Sequence, residues 1–182
     1  MKVINDNERA GSARRKTARP ARSPATGDIR EFPDHPRVGV GGIVVHNAQV
    51  VLVRRGREPL KGQWSIPGGL VEVGEQLQQA VRREIKEETG LDVEPVERLE
   101  IFERIQRDPG GRRRIRYHYV IVDYVCRVRG SKPGTSKPPA LRPGSDVTEA
   151  EWVGSETLGL YGLSTEAEEI ILKAMEFIDP YR

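Results

Sequence analysis

The sequence predicts one α+β domain built as an α/β/α sandwich around a mixed β-sheet. Three observations predict it. The chain has 182 residues, enough for one domain and short for two. Apolar residues make up 36% and are joined by 19 glycines, so a core can form. Strand-like β-branched runs and two amphipathic helical stretches follow each other without strict βαβ alternation.

The chain divides by charge. Residues 1–37 carry nine Lys/Arg and five Asp/Glu, a net of +4, against +3 for the whole chain, so 38–182 nets −1. The sequence pI near 9.1 therefore comes from this leader. The leader has no apolar periodicity and no interleaved aromatics, so it is expected to be a disordered, solvated tail rather than a nucleic-acid-binding face. It lacks the apolar core of a secretory signal, and its five acids set it apart from transit peptides. No apolar run approaches the ~18 residues of a membrane-spanning helix, and no membrane partner is expected. The single cysteine, Cys126, excludes an intrachain disulfide and a cysteine metal cluster, and fits a cytoplasmic location.

Order is expected from about Arg37, with the domain spanning 38–182. Val38–Val45 and Gln49–Arg54 read as a hairpin across His46-Asn47-Ala48. Residues 56–69, rich in Gly and Pro, read as loop. A helical pattern runs from Gln76 to Thr89, with Gly90 placed as a left-handed C′ residue. Val96–Gln106 and Arg114–Val128 are strands joined by the turn signal Asp108-Pro109-Gly110-Gly111. Residues 129–145 form a polar, Pro-rich loop long enough for mobility or binding. Glu149–Val153 is a short strand. The last helix runs from Thr165 to Ile178, with Thr165 and Glu168 as a capping box and Ile171, Ala174, Met175 and Ile178 as its apolar stripe.

The first helix breaks the rule of an apolar inner face. With Leu77 at zero and about 100° per residue, Val81 and Ile85 lie at roughly 40° and 80°. Glu84 and Glu88 fall at roughly 340° and 20°, inside that stripe, and Glu87 borders it at roughly 280°. Burying carboxylates is costly, their repulsion adds to the cost, and the last helical turn disfavours anions. Arg83 can pair with Glu87 at i+4, but lies roughly 100° from Glu84 and farther from Glu88, so it cannot serve all three. Divalent cations are the other remedy, since hard oxygens at this spacing suit Mg²⁺ or Mn²⁺. On the helix alone, a solvated acidic face is an equal reading.

The residues upstream decide between them. Gly69, Glu75, Arg83-Glu84-Ile85, Glu87-Glu88 and Gly90-Leu91 match the Nudix box, G-x5-E-x7-R-E-U-x-E-E-x-G-U, at every position, U being bulky and aliphatic. The approach Arg54-Arg55…Gly62-x-Trp64-x-x-Pro67-Gly68-Gly69 and the stretch Ser145-Asp146…Trp152-Val153 extend the match over about 38–178. The chain resembles a Nudix hydrolase, and the resemblance implies the Nudix-type α/β/α sandwich.

The resemblance also implies hydrolysis of a nucleoside diphosphate linked to another moiety. It implies Mg²⁺ or Mn²⁺ as cofactor, held by Glu84, Glu87, Glu88 and the Gly68 carbonyl. Glu84, Glu87 and Asp146 are the catalytic candidates. Glu84 and the later-loop Asp146 are the two candidate bases, with Asp146 standing where Glu is more frequent; Glu149 and Glu151 are substitutes. Arg83 is expected to orient Glu87, and Glu75 to pair with Arg82 or Arg83.

The segment from Arg107-Asp108-Pro109 to Asp123 resembles ADP-ribose pyrophosphatase-like members, making ADP-ribose or a related sugar nucleotide the expected substrate. A nucleoside-triphosphate or dinucleoside-polyphosphate hydrolase is the alternative, and a non-catalytic nucleotide sensor that contacts nucleic acid through its leader is one of another class. The intact acidic set argues against the sensor, so no nucleic-acid partner is expected. Arg112–Arg114 and Arg116 are either phosphate contacts or a solvated hairpin tip. Trp64, Tyr117 and Tyr119 either stack on a base or pack, and His118 and Cys126 are read as packing residues. A homodimer is compatible with the family.

Overall fold

The computed structural model describes residues 30–110, 114–130, 137–144 and 146–178. The leader up to residue 29, where a tail was expected, lies outside these residues, as do Gly111, Arg112, Arg113 and Ser145. Within them the elements run β1 (Arg37–His46), β2 (Gln49–Arg55), β3 (Trp64–Ser65), β4 (Gly68–Leu70), α1 (Leu77–Thr89), β5 (Val93–Arg107), β6 (Ile115–Val128), β7 (Val147–Gly154), a 3-10 turn (Ser155–Leu160) and α2 (Thr165–Ile178).

The sheet is mixed, as expected. Its strand order is β3-β2-β1-β6-β5, with β4 also on β1 and β7 also on β2. β1 runs parallel to β6, and every other pairing among the described residues is antiparallel. Alternation along β1 sends successive residues to opposite layers. Val40 and Val44 join Val51, Val53, Val122 and Cys126 under Ala80, Val81 and Ile85 of α1. Ile43 and Val45 join Val50, Leu52, Val125 and Val153 under Ile170, Ile171 and Met175 of α2. Cys126 is a packing residue, fully buried.

Two glycines set the seating of α1. Gly42 has no side chain where Ile85 meets β1, and a Cβ there would strike the Ile85 side chain. Gly90 ends the helix at φ 77°, its N–H donating to Lys86 O.

Several boundaries differ from the sequence reading. The stretch expected to be loop contains β3 and β4, because Trp64–Ser65 and Gly68–Leu70 find open strand edges on β2 and β1. The cap of α2 is Ser164, one residue earlier than expected: its Oγ accepts from Ala167 N and its carbonyl from Glu168 N. The described end of the Pro-rich loop is docked. Arg142 N donates to Thr89 O, Gly144 N to Glu88 O, and Trp152 Nε1 to Pro139 O. These bonds satisfy carbonyls that the end of α1 leaves over. Residues 30–36 also pack on the domain, with Glu31 bonded to Arg116 and Tyr117 of β6.

Candidate functional site

The site forms where β4 meets the inner face of α1. Gly68 lies opposite Gly41 of β1, and a Cβ on Gly68 would run into the Val40 carbonyl. Gly69 lies under Glu84, and a Cβ there would overlap the Glu84 carboxylate. The two glycines thus leave room for carboxylates that the helix turns inward.

Glu88 is 6% exposed, and its Oε2 accepts from Gly68 N at 2.9 Å. Burial pushes its carboxyl up to about 7; the Gly68 N–H opposes this, and the nearby Glu84 reinforces it. Burial likewise raises Glu84, against the pull of Arg83. Glu87 is half-exposed at 47%, and meets Arg83 at 3.6 Å. The helix wheel thus placed Glu84 and Glu88 inward and Glu87 at the border, as found.

Arg83 is the hub. Its Nε and Nη2 grip both oxygens of Glu75 at 2.9 Å, Nη1 reaches Glu84 Oε1 at 2.7 Å, and Nη2 also reaches Leu70 O at 3.0 Å. It does not serve Glu88, as expected. It does hold Glu84, which angular projection had separated from it, because the long side chain curls back once Glu75 anchors it. Glu75 pairs with Arg83, and Arg82 pairs instead with Glu94.

Asp146 arrives from the far loop. Its backbone carbonyl accepts from Gly56 N, and its carboxylate lies 3.0 Å from Arg57 and 3.6 Å from Arg30. It adds to the negative field at Glu88. Glu149 pairs with Arg54, and Glu151 accepts from Tyr161 OH, so both are committed elsewhere. Trp64 packs edge-on against Tyr161, with ring centroids 5.0 Å apart. Tyr117 is buried, stacked on Tyr119 and bonded to Glu31.

Sequence reading gave no role to Arg55 or Asp123. Arg55 is partly buried, in the field of Glu88. Asp123 is 3% exposed and its carboxyl is pushed up to about 6 by burial. The signal for Asp123 was an acid inside the apolar run Val120-Ile121-Val122-Asp123-Tyr124.

Among the described residues no three acidic, His or Cys side chains converge as a ready ligand set. The donor chemistry nevertheless fits a hard dication. Glu88, buried, and Glu84, partly buried, are oxygen donors that repel each other, and Glu87 beside them has a carboxylate open to solvent.

A family model described as NUDIX domain matches residues 35–174. An ADP-ribose pyrophosphatase of Methanocaldococcus jannaschii is 34% identical over 143 residues, covering 79% of this chain and 75% of that protein. A putative ADP-ribose pyrophosphatase of Bacillus subtilis is 34% identical over 91 residues, 50% of this chain and 41% of its own length. The crystal structure of a MutT Nudix hydrolase from Burkholderia pseudomallei superposes with a TM-score of 0.60 at 27% identity, covering 78% of this chain and 98% of that one. The Nudix domain of Shewanella oneidensis NrtR, solved with ADP ribose, shares the fold with a TM-score of 0.61 at 21% identity, over 84% and 94% of the two chains. With the glycine pair, the inward carboxylates and their arginine hub arranged on this fold, the chain belongs to the Nudix hydrolase family.

Proposed function

We propose that the protein hydrolyses the pyrophosphate bond of ADP-ribose or a related nucleoside-diphosphate sugar, releasing AMP and ribose 5-phosphate from ADP-ribose. The observation that carries this is the pair of inward carboxylates against Gly68–Gly69, Glu88 buried and Glu84 partly buried, with no lysine or arginine bonded to Glu88 among the described residues. Carboxylates kept at that cost suit a ligand that brings positive charge with it. The 34% identity to the M. jannaschii ADP-ribose pyrophosphatase supports the substrate.

In this reading Glu84, Glu87, Glu88 and the Gly68 carbonyl would hold Mg²⁺ or Mn²⁺, which supplies polarisation of a phosphoryl oxygen and acidifies the attacking water. Glu84 accepts the water's proton on the carboxylate that Arg83 orients. Asp146 is the second candidate base, and its pairing with Arg57 and Arg30 makes it the weaker one. The buried, lone Cys126 is in keeping with a cytoplasmic enzyme.

A panel of ADP-ribose, nucleoside-diphosphate sugars, nucleoside triphosphates and dinucleoside polyphosphates with Mg²⁺, read out by product identity, tests the assignment. AMP with ribose 5-phosphate supports it. Pyrophosphate release from triphosphates, at a higher kcat/KM than for ADP-ribose, replaces it with the alternative.

We also infer a homodimer. β5 is an edge strand and exposes Ile101 at 54%, Phe102 at 43% and Ile105 at 50%. Two copies pairing antiparallel about Phe102 would set Glu100 opposite Arg104 on either side of it, giving opposite charges across the seam. Light scattering that finds a monomer overturns this.

A further inference from the structure

Asp123 is a buried acid outside the set formed by Glu84, Glu87 and Glu88. Successive residues of β1 face opposite layers of the sandwich. Gly42 lies under Val81 and Ile85 of α1, so Gly41 faces the other way, with Ile43 on the side of α2. Asp123 stands beside Gly41 in the parallel pairing of β1 with β6. A Cβ on Gly41 would overlap Asp123 Oδ1, and would lie 3.8 Å from Ile66 Cγ2. The carboxylate therefore leans from β6 across β1, over the space that Gly41 leaves empty and toward β4. Gly39 is the next residue on that face. A Cβ there would meet Ile121 Cγ1 at 3.6 Å and the Gly69 carbonyl at 3.4 Å, so its place on the sheet surface is also unfilled.

Asp123 is 3% exposed, and among the described residues no donor bonds to it. Its neighbour on β5 is another acid, Glu100. Lys173 of α2 comes to 3.9 Å from Glu100 and makes no ion pair with Asp123. A carboxylate taken out of water with no donor in return is costly, and an apolar side chain would fill the place without that cost. The position relates it to the reaction. Gly41 also pairs with Gly68 of β4, whose N–H holds Glu88. With neighbouring strands about 4.8 Å apart, the backbone of Asp123 lies ~10 Å from that of Gly68, a reach that a diphosphate and its attached sugar cover.

We propose that Asp123 is a specificity-determining residue that accepts hydrogen bonds from the vicinal hydroxyls of a ribose of the substrate, seated over Gly39 and Gly41. The ribose rests on the pyrophosphohydrolase reading above. An ionised carboxylate only accepts, and does so with two oxygens. The diol of a ribose presents two adjacent donors. Adenine presents the acceptor N7 beside its amino group, which sets acceptor against acceptor. Within ADP-ribose the diols are therefore the matching partner.

Steady-state kinetics of the full chain with Mg²⁺ at pH 8, where Asp123 is ionised, test this. The substrates are ADP-ribose and two analogues, one lacking the 2′-hydroxyl of the adenosine ribose and one lacking the 2″-hydroxyl of the terminal ribose. In the parent, one analogue raises KM about tenfold and leaves kcat within about twofold. Asp123→Ala raises KM for ADP-ribose by a similar factor and no longer distinguishes that analogue from ADP-ribose. Such coupling belongs to a direct contact and not to a general loss of structure. The isosteric Asp123→Asn serves where Asp123→Ala does not fold; it keeps one acceptor and shows a smaller penalty than the parent. A parent that treats both analogues as it treats ADP-ribose, or a variant that keeps the parent's full penalty, overturns the assignment. A parent preference for guanosine over adenosine diphosphate sugars that Asp123→Ala abolishes also overturns it, since guanine then supplies the paired donors. If the parent cleaves nucleoside triphosphates and no diphosphate sugar, the activity reading falls. The same comparison with ATP and 2′-deoxy-ATP then decides the ribose contact by itself: coupling to Asp123 upholds it, and its absence overturns it.

Discussion

The Glu84 carboxylate occupies the space that a side chain on Gly69 would need, so the two residues are sterically linked across the β4–α1 junction. Gly69→Ala must therefore push Glu84 away from the site or shift β4. The expected result is a loss of at least about tenfold in kcat, since small misplacements of a reacting group are costly. The change touches no apolar contact of the core, so the melting temperature should move little. Rate and melting curve measured on one preparation check this; a parent-like rate contradicts it.

Glu88 couples stability to pH and metal. Its carboxyl is pushed up to about 7 from an ordinary value of 4.5, chiefly by burial. The folded state then holds the proton more tightly than the unfolded one. Stability without metal falls as pH rises from about 4.5 to 7, and is flat above. Mg²⁺ should raise the melting temperature more at pH 8 than at pH 5.5. Glu88→Gln should melt higher than the parent at pH 8 without metal, lose the response to Mg²⁺, and lose most turnover. Glu87→Gln should lose most turnover with little change in metal-free melting, because Glu87 is half-exposed. Scanning fluorimetry with and without Mg²⁺ measures the first effects, and formation of AMP from ADP-ribose the last.

Arg83 grips both oxygens of Glu75 and one of Glu84. Arg83→Lys keeps the charge but offers no fork, so it can hold one partner at a time. Turnover should fall about tenfold or more with metal affinity reduced less, because Glu84 is misoriented rather than removed. If Arg83→Lys matches the parent in kcat at saturating Mg²⁺, the hub has no part in orientation.

Local spacing made some of this legible in the sequence and left the rest hidden. The inward turn of Glu84 and Glu88 follows from the helical repeat alone, and the burial of Val81 and Ile85 beside them agrees with it. β3 and β4 were hidden because two- and three-residue strands carry no period; they exist through the edges they find on β2 and β1. Ser164 rather than Thr165 caps α2 because either hydroxyl suits a cap, and tertiary packing selects the register. The partners of Asp146 join residues 30, 57 and 146, whose encounter only the folded chain decides.

Asp123 supplies the last prediction. It sits on β6 with 3% exposure, next to Gly41, where a Cβ would collide with its carboxylate, and among the described residues no donor bonds to it. Burial, with help from the negative field of Glu100, pushes its carboxyl from 3.8 up to about 6. At 1.36 kcal/mol per pKa unit, the charged form costs on the order of 3 kcal/mol above pH 6. An amide in its place removes that cost, but brings its own unsatisfied donors, worth about 1–3 kcal/mol. Because the folded pKa is raised, the parent loses this stability as pH climbs from about 4 to 6, whereas Asp123→Asn does not. The difference in unfolding free energy between Asp123→Asn and the parent should therefore shift in favour of the variant between pH 4 and pH 7, whatever its absolute sign. Urea unfolding at several pH values measures it. A difference that stays constant across that range would mean that Asp123 is ionised in the folded protein at no cost, and that a donor reaches it in solution.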